Sequence, residues 1–444
     1  MQTEAQGKSP HRIVGGGAGG LELATSLGDK LGRKGRAAVV LVDRKPAHIW
    51  KPLLHEVAAG SMDQNTHQLE YTAQARWHGF EFQLGELTGL DRKAKTITVA
   101  ASRDDEGVEL LPERRIGYDT LVLAIGSVTN FFGVPGAAEH ALALDTVEQA
   151  ERFRRRLISA CVRAQSGLLH PGEHARPHVD IAIIGAGATG VELAAELRNT
   201  AQVLNAYGLH HLDPRRDIHI RIIESGPRIL PPLPERVAAQ VAGLLGKLQV
   251  ELMTGERVTE VKPEGVATLS GKMVGSDLTV WAAGIAAPKV LADLDGLPLN
   301  RQGLLQVKLT LQSEVAPDVF AFGDCASCAW PERNTTVPPR AQSAHQQASF
   351  LYKSLRLRLE GKPLPEFHFR DLGSLVSLGH FSAAGSLMGA LIGGVMFVEG
   401  WVARIMYSSL YRMHIYALHG FLHTALDMLG HWLRSKTNPR VKLH

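Results

Sequence analysis

Two copies of one short pattern constrain this chain more than anything else in it. The first copy runs from Arg12-Ile13-Val14 through Gly15-Gly16-Gly17-Ala18-Gly19-Gly20 into Leu21-Glu22-Leu23-Ala24, and a second apolar run, Ala37 to Val42, ends at Asp43. The second copy runs from Val179 to Ile184, through Gly185-Ala186-Gly187-Ala188-Thr189-Gly190, into Val191-Glu192-Leu193; the run Ile218 to Ile223 ends at Glu224. Each reads as buried strand, glycine turn, helix, strand, acid. The first glycine of such a turn (Gly15, Gly185) permits the bend, and the second (Gly17, Gly187) lets a pyrophosphate approach the backbone. The third (Gly20, Gly190) lets helix and strand pack closely. The helix start then offers free N–H groups and a positive dipole end to phosphate. An acid closing the second strand accepts hydrogen bonds from ribose hydroxyls and repels a 2′-phosphate, which favours NAD(H) over NADP(H) at Glu224. Glu224 comes later than the usual interval, so residues 200–217 read as an insertion. Two units imply two dinucleotides, and the physical reason to hold both is electron transfer between them, with a flavin and a nicotinamide as the usual pair.

The chain has 444 residues, enough for two or three domains, and a charged fraction of 21% that is ordinary for a globular protein. Three cysteines, Cys161, Cys325 and Cys328, make no disulfide framework. The start, Met1 to Pro10, is short and polar with no apolar core of a secretory signal. A reducing, cytoplasm-facing location follows. The net charge of +4 is unevenly spread: from Trp401 onward six Lys/Arg stand against one acid, Asp427. A basic, apolar-striped tail points to an anionic lipid surface. No nucleic-acid-binding signature is present.

Along the chain, His48-Ile49-Trp50-Lys51-Pro52-Leu53-Leu54 follows a strand's C-terminal end, where ligands sit in open α/β sheets. Trp50, Lys51 and Pro52 are therefore candidates to touch a flavin, an ordinary packed loop being the equal alternative. Residues 80–118 alternate with strand period and read as an antiparallel excursion. Tyr118 to Ser127 is a buried strand ending in small residues, a pattern repeated at Leu278 to Ile285, and small residues admit a ligand close to the backbone. Val147 to Ser166 reads as a charged helix, with a domain junction nearby. Val319-Phe320-Ala321-Phe322 is a short apolar strand that ends in Gly323-Asp324. Gly-Asp after a strand is usually a plain turn, but after two nucleotide units Asp324 becomes a candidate for a ribityl hydroxyl. Expected boundaries are residues 1–145 with 295–355 for an FAD unit, 146–294 for an NADH unit, and 356–444 for a C-terminal α+β region. The fold class is α/β with two Rossmann-like dinucleotide-binding domains.

These residues resemble the two-dinucleotide flavoprotein superfamily of pyridine-nucleotide oxidoreductases. Within it the chain is similar to the type II NADH dehydrogenases, the single-subunit, non-proton-pumping NADH:quinone oxidoreductases, and to proteobacterial members most. The likeness runs from about Ile13 to the C-terminus. It is carried by His48 to Leu54, by Trp281-Ala282-Ala283-Gly284, by Ala341-Gln342-Ser343-Ala344-His345-Gln346 and by Trp401 through His414. The resemblance implies that Gly15, Gly17, Ala18, Gly20 and Asp43 bind FAD, with Lys51, Gly126, Gly284, Gly323 and Asp324 also in contact with cofactor. Gly185, Gly187, Gly190 and Glu224 would bind NADH. Glu192 would lie near the nicotinamide and flavin rings, and Gln342, His345 and Gln346 would line a quinone pocket, His345 being suited to pass a proton. A solvent-facing helix start is the plainer reading of 341–346. No metal is implied.

Two features need separate readings. Cys325-Ala326-Ser327-Cys328 has redox-motif spacing, but two small buried thiols are the better reading. Cys161 and Cys328 imitate the separated cysteines of sulfide:quinone oxidoreductases, a reading weakened by the intact NADH unit. Residues 372–398 carry no charge, yet their glycines argue for a small antiparallel sheet rather than a membrane span. From Leu410 to Leu433 apolar residues recur at helical spacing, with His414 falling on the apolar face and Leu426 on the polar one. A helix lying in the membrane interface, on the cytoplasmic face of a bacterial inner membrane, is the reading that suits a quinone substrate; a homodimer burying part of that face is the alternative. Further alternatives for the whole chain are a soluble NADH-dependent reductase and a non-enzymatic redox sensor binding FAD and NAD(H).

Overall fold

Two five-stranded parallel sheets carry the two glycine turns. In the first, the strand order is Val319–Ala321, Thr120–Leu123, Ser9–Val14, Ala37–Asp43, Glu81–Leu84. In the second it is Ala141–Ala143, Leu278–Trp281, Val179–Ile184, Ile218–Glu224, Val250–Thr254. The computed structural model describes residues 9–62, 67–104, 106–169, 177–206, 212–378, 383–388 and 395–434. In both sheets the glycine-turn strand is central, with one neighbour reached through the glycine helix and the other through a long excursion. That is a topological switch point, where open α/β sheets bind ligands beyond the strands' carboxyl ends. Val179–Ile184 is buried along nearly its whole length, as an apolar run between two layers requires, and in Ser9–Val14 the burial is complete at the Ile13-Val14 end that leads into the turn.

Glu81–Leu84 departs from expectation. It was expected in the antiparallel excursion, but it pairs parallel with Ala37–Asp43 and forms that sheet's edge. Alternation marks any half-buried strand and does not distinguish the two arrangements. The excursion itself is a three-stranded antiparallel sheet of Leu87–Asp91, Thr96–Val99 and Arg114–Gly117. The expected helix is present at Val147–Gln165, opened by a capping box between Thr146 and Gln149. The proposed insertion at 200–217 is the end of the helix Ala188–Ala206 and a following loop, of which residues 207–211 lie outside the described residues.

The segment Trp50 to Met62 ties the halves together. It follows the first unit's second strand, yet Trp50, Leu53, Leu54, Val57 and Ala58 pack in the same core as Phe153, Leu193 and Ile183 of the second unit. The loop between the two sheets is thereby fixed from behind.

The small C-terminal sheet is present as Gly373–Ser377, Ala383–Met388 and Val395–Glu399, all antiparallel; residues 379–382 and 389–394 lie outside the described residues. Among the described residues no helix is long and apolar enough to cross a membrane. The terminal helix, Gly400–Arg434, is broken at Gly420, whose φ of 74° no helix contains. The single apolar stripe read from the sequence therefore splits. His414, Ile415 and Leu418 turn inward, whereas Met413, Tyr416, Phe421, Leu426, Met428 and Leu429 are exposed. The side chains of Trp401, Leu410, Leu422, Trp432 and Leu433, and the basic residues Lys436, Arg440 and Lys442, lie outside the described residues.

Candidate functional site

The two glycine turns repeat one another atom for atom in their constraints. Gly15 sits at φ +102°, and a Cβ there would meet the Ala124 carbonyl oxygen at 2.3 Å; Gly185 sits at φ +103° against the backbone of Ala282 and Ala283. A Cβ on Gly20 would lie 1.8 Å from the Gly15 oxygen, and one on Gly190 2.1 Å from the Gly185 oxygen. These four positions are closed to any side chain. Gly17 and Gly187 differ: a Cβ on either would meet nothing within 4 Å. Their surroundings are open on the side where a phosphate would approach. The helix Ala18–Leu27 begins with Gly17 as its cap, with no side-chain hydrogen bond and no acid in its first turn. Its first N–H groups are thus left for an anion. These are the features a dinucleotide pyrophosphate needs, so the residues fit both FAD and NADH.

The strand-end acids brace the turns. Asp43 accepts from the Gly16 N–H at 2.6 Å and from the Lys45 N–H at 2.8 Å. Burial raises its carboxyl above the usual range, and these N–H groups oppose the shift. Glu224 accepts from the Ala186 and Gly226 N–H groups at 2.8 and 2.7 Å and remains partly exposed. Around the first turn, Ser127 donates from Oγ to Asp324 at 3.0 Å, and Lys51 Nζ donates to the Ser127 carbonyl at 3.3 Å. Burial raises the Asp324 carboxyl, with Ser127 and Lys51 pulling it back. Gly126 and Gly323 both adopt left-handed φ beside this group, and Gly284 lies against the Phe132 ring. The structure therefore brings Lys51, Gly126, Gly323 and Asp324 together at the carboxyl end of the first sheet.

The helix Ala341–Leu359 carries the three candidate quinone contacts, and each has a protein partner. Gln342 donates to the Gly373 carbonyl at 2.9 Å and accepts from the Leu372 N–H at 3.1 Å. Gln346 pairs with the Arg370 backbone in both directions, at 2.8 and 3.0 Å. Both amides clamp the segment leading into the C-terminal sheet. His345 Nδ1 meets Glu22 Oε2 at 2.7 Å, and that hydrogen bond raises the imidazole above its ordinary value. Glu192, on the second glycine helix, accepts from the Ser377 N–H at 3.0 Å. The strand Gly373–Ser377 is thus pinned at one end by Gln342 and at the other by Glu192.

Several participants escaped sequence reasoning. Glu22 stands two residues beyond the third glycine, the same place as Glu192 in the second unit, and that repetition was its available signal. Gln347 is buried and accepts from the Gly323 N–H at 2.9 Å, setting the turn that carries Asp324. Tyr71 and His48 both donate to the Gly16 carbonyl, at 2.6 and 2.9 Å. His48 Nε2 in turn lies 3.1 Å from His414 Nε2, so His414 donates and both rings are neutral. Burial holds His48 down to about 4 and His414 well below its ordinary value. His414 stands out in the sequence as a polar residue on an apolar face, but its pairing with His48 is not legible there, because the two lie at opposite ends of the chain.

The cysteines offer no redox centre. All three are buried, and burial pushes Cys161 and Cys328 up to about 12 and Cys325 to about 11. Burial keeps all three thiols protonated near neutral pH, the unreactive form. Among the described residues no group of His, Cys, Asp and Glu could hold a metal.

Comparison with known proteins agrees with this geometry. A model of the pyridine nucleotide-disulphide oxidoreductase family matches residues 10–348. The type II NADH:quinone oxidoreductase of Haemophilus influenzae is 42% identical over 441 residues, covering 97% of this chain and 99% of that one. The type II NADH:quinone oxidoreductase Ndh of Mycobacterium tuberculosis is 28% identical over 446 residues, covering 97% and 89%. Among solved structures, NDH2 from Plasmodium falciparum in complex with NADH superposes with a TM-score of 0.80 at 18% identity, covering 98% of this chain and all of that one. The sulfide:quinone oxidoreductase of Aquifex aeolicus gives 0.71 at 18%, covering 97% and 96%. At such identities the likeness is one of fold. The chain belongs to the pyridine nucleotide-disulphide oxidoreductase family and, within it, to the type II NADH:quinone oxidoreductases.

Proposed function

We propose that this protein oxidises NADH and reduces a membrane quinone by two electrons, with FAD as the carrier between them and no proton pumping. The observation that carries the reading is the duplicated glycine turn in a chain that aligns end to end with a type II NADH:quinone oxidoreductase. Bound FAD supplies the two-electron chemistry; the protein supplies alignment and electrostatics. Residues 1–145 and 295–355 form the FAD unit, and residues 146–294 the NADH unit. Gly15, Gly17, Ala18, Gly20, Asp43, Lys51, Gly126, Gly284, Gly323 and Asp324 hold FAD. Gly185, Gly187, Gly190 and Glu224 hold NADH. Glu192 and Gln342 position the reacting rings, and His345 and Gln346 stand on the quinone side.

Residues 356–444 attach the protein to the cytoplasmic face of a bacterial inner membrane without crossing it. The exposed side chains Met413, Tyr416, Phe421, Leu426, Met428 and Leu429, with Trp77 nearby across His419, form the apolar face that this attachment uses. A homodimer covering the same face would appear as a change of mass with concentration and as loss of vesicle binding.

An anaerobic stopped-flow trace at the flavin absorbance tests the reaction. NADH should bleach the flavin, and a water-soluble quinone should restore the colour quickly. Bleaching by sulfide but not by NADH would sink this reading.

A further inference from the structure

A line of titratable side chains that the proposed reaction has not used runs from the surface to Glu192. The short helix Leu54–Ala59 follows directly on the Trp50-Lys51-Pro52 loop. Its His55 is almost wholly enclosed, with 3% of its side chain exposed, while the neighbouring Glu56 keeps 30% exposed. His55 Nε2 lies 4.0 Å from Glu56 Oε1, and His55 Nδ1 lies 3.7 Å from Glu192 Oε2. The other Glu192 oxygen accepts from Ser377 N–H. Glu196, one turn further along the same helix, is buried and bonded to Asn199 Nδ2 at 3.2 Å. The Pro52 carbonyl also bonds the His55 ring, tying it to the loop between the two sheets.

The charges around this line make no sense as a stabilising cluster. The long-range charge acting on both His55 and Glu56 is that of Glu196. Helix Val147–Gln165 packs on the same side and brings Arg154, which is paired with Glu151 at 2.8 Å. The strand Gly373–Ser377 brings a backbone N–H. No Lys or Arg among the described residues is a cause of the shift at either group. Burial and the like charge of Glu196 therefore push the Glu56 carboxyl up to about 8, and burial holds His55 down to about 4. Near neutral pH, Glu56 keeps its proton and His55 is a neutral ring. Apolar side chains of similar size would pack this spot at lower cost, and a carboxyl shifted by burial and a like charge is a candidate functional group.

The chemistry has a need that fits. NADH, quinone and one proton give NAD⁺ and quinol. The hydride carries both electrons and one hydrogen, so one further proton must come from the medium for every quinone reduced. We propose that Glu56 and His55 form the path by which that proton enters, ending at Glu192. Glu192 gives up its proton towards the reacting quinone; Glu56 then protonates His55 at Nε2 as the ring passes its Nδ1 proton to Glu192, and water restores Glu56. The separations of 3.7 and 4.0 Å tighten to hydrogen bonds by small carboxyl rotations, as resting sites commonly require. The path rests on the functional reading above and on Glu192 lying beside the rings.

Two measurements on FAD-loaded protein test it. The first is infrared difference spectroscopy across pH. Wild type should show a protonated-carboxyl band that fades between about pH 7 and pH 9, and Glu56→Gln should lack it. The second is anaerobic stopped flow, with NADH first and a water-soluble quinone second. Glu56→Gln should leave NADH bleaching within about twofold of wild type and slow quinone-driven recovery roughly tenfold or more. Wild-type recovery should decline as pH rises through the Glu56 titration, and the variant should lose that decline. A small weak acid, entering where Glu56 is exposed, should restore part of the rate. Equal slowing of both phases, unchanged recovery, or a missing infrared band in wild type would each overturn the path. Wild type that NADH fails to bleach would overturn the functional reading itself, an outcome separate from any difference between wild type and Glu56→Gln.

Discussion

At the first glycine turn the Gly16 carbonyl accepts from two enclosed side chains, Tyr71 Oη and His48 Nδ1, and a Cβ on Gly16 would strike the Tyr71 ring at 2.4 Å. At the second, the equivalent carbonyl of Ala186 accepts from the backbone N–H of Leu230 at 2.8 Å. The turns share φ, close contacts and strand order, yet the first is gripped by the side chains of Tyr71 and His48, the latter backed by His414 from the far end of the chain. The second is held by its own loop. The first strand-end acid is the one raised by burial, Asp43. Identical backbone geometry can thus serve a cofactor that stays and a substrate that must leave. The surroundings decide which, since each fixed hydrogen bond adds about 1 kcal/mol to holding the turn rigid.

That contrast can be broken from the first side. Gly20→Val puts a side chain where 1.8 Å separates Cβ from the Gly15 oxygen. It should abolish flavin binding and destabilise the first unit by roughly 3 kcal/mol or more, read as flavin content and melting temperature. Next in size is His48→Ala. It removes one of the two donors to the Gly16 carbonyl and strands the His414 ring in the interior, at a cost of about 2 kcal/mol. Flavin should then leave on dialysis, while NADH affinity of the FAD-loaded fraction stays near wild type. Equal loss at both sites would show that the two turns are not held differently.

From the second side, Glu224→Gln removes the charge and keeps only one of the two N–H bonds, because Ala186 and Gly226 donate to different carboxylate oxygens. The NADH/NADPH ratio of kcat/KM should narrow about tenfold, and an unchanged ratio would remove Glu224 from the ribose. A smaller effect belongs to His345. Its value is raised by Glu22, so the pair stabilises the fold at pH below the unfolded histidine value. That contribution fades as pH rises through the folded value. The melting temperature of wild type should exceed that of His345→Ala at pH 5.5 and converge with it above pH 8. Smallest of all, Cys161→Ser and Cys328→Ser should leave turnover near normal, because neither thiol ionises near neutral pH; a large loss would favour sulfide chemistry.

Much of the fold was legible because its signals are local. Strand, glycine turn, helix and acid follow in sequence, so Asp43 was placed from spacing and Glu224, despite its late arrival, from the apolar run it closes. The C-terminal sheet followed from glycines that interrupt a run of low apolar density. What stayed hidden depends on partners far apart in the chain. Glu81–Leu84 has the same alternation in either pairing. Gln342 and Gln346 carry the expected motif, but their clamps on residues 370–373 come from tertiary geometry. The His48–His414 contact joins residues 366 positions apart. The terminal stripe assumed an unbroken helix, and Gly420 divides it.

The central claim is that one motif, used twice, holds FAD at the first copy and NADH at the second. Gly17→Val and Gly187→Val test it most directly, since neither Cβ meets protein within 4 Å and only a ligand would feel the side chain. Flavin absorbance and NADH bleaching should be measured on both variants. Gly17→Val should purify folded and without flavin. Gly187→Val should purify yellow and fail to bleach with NADH while still bleaching with dithionite. The reverse pattern, or flavin retained with normal bleaching in both, would contradict the account.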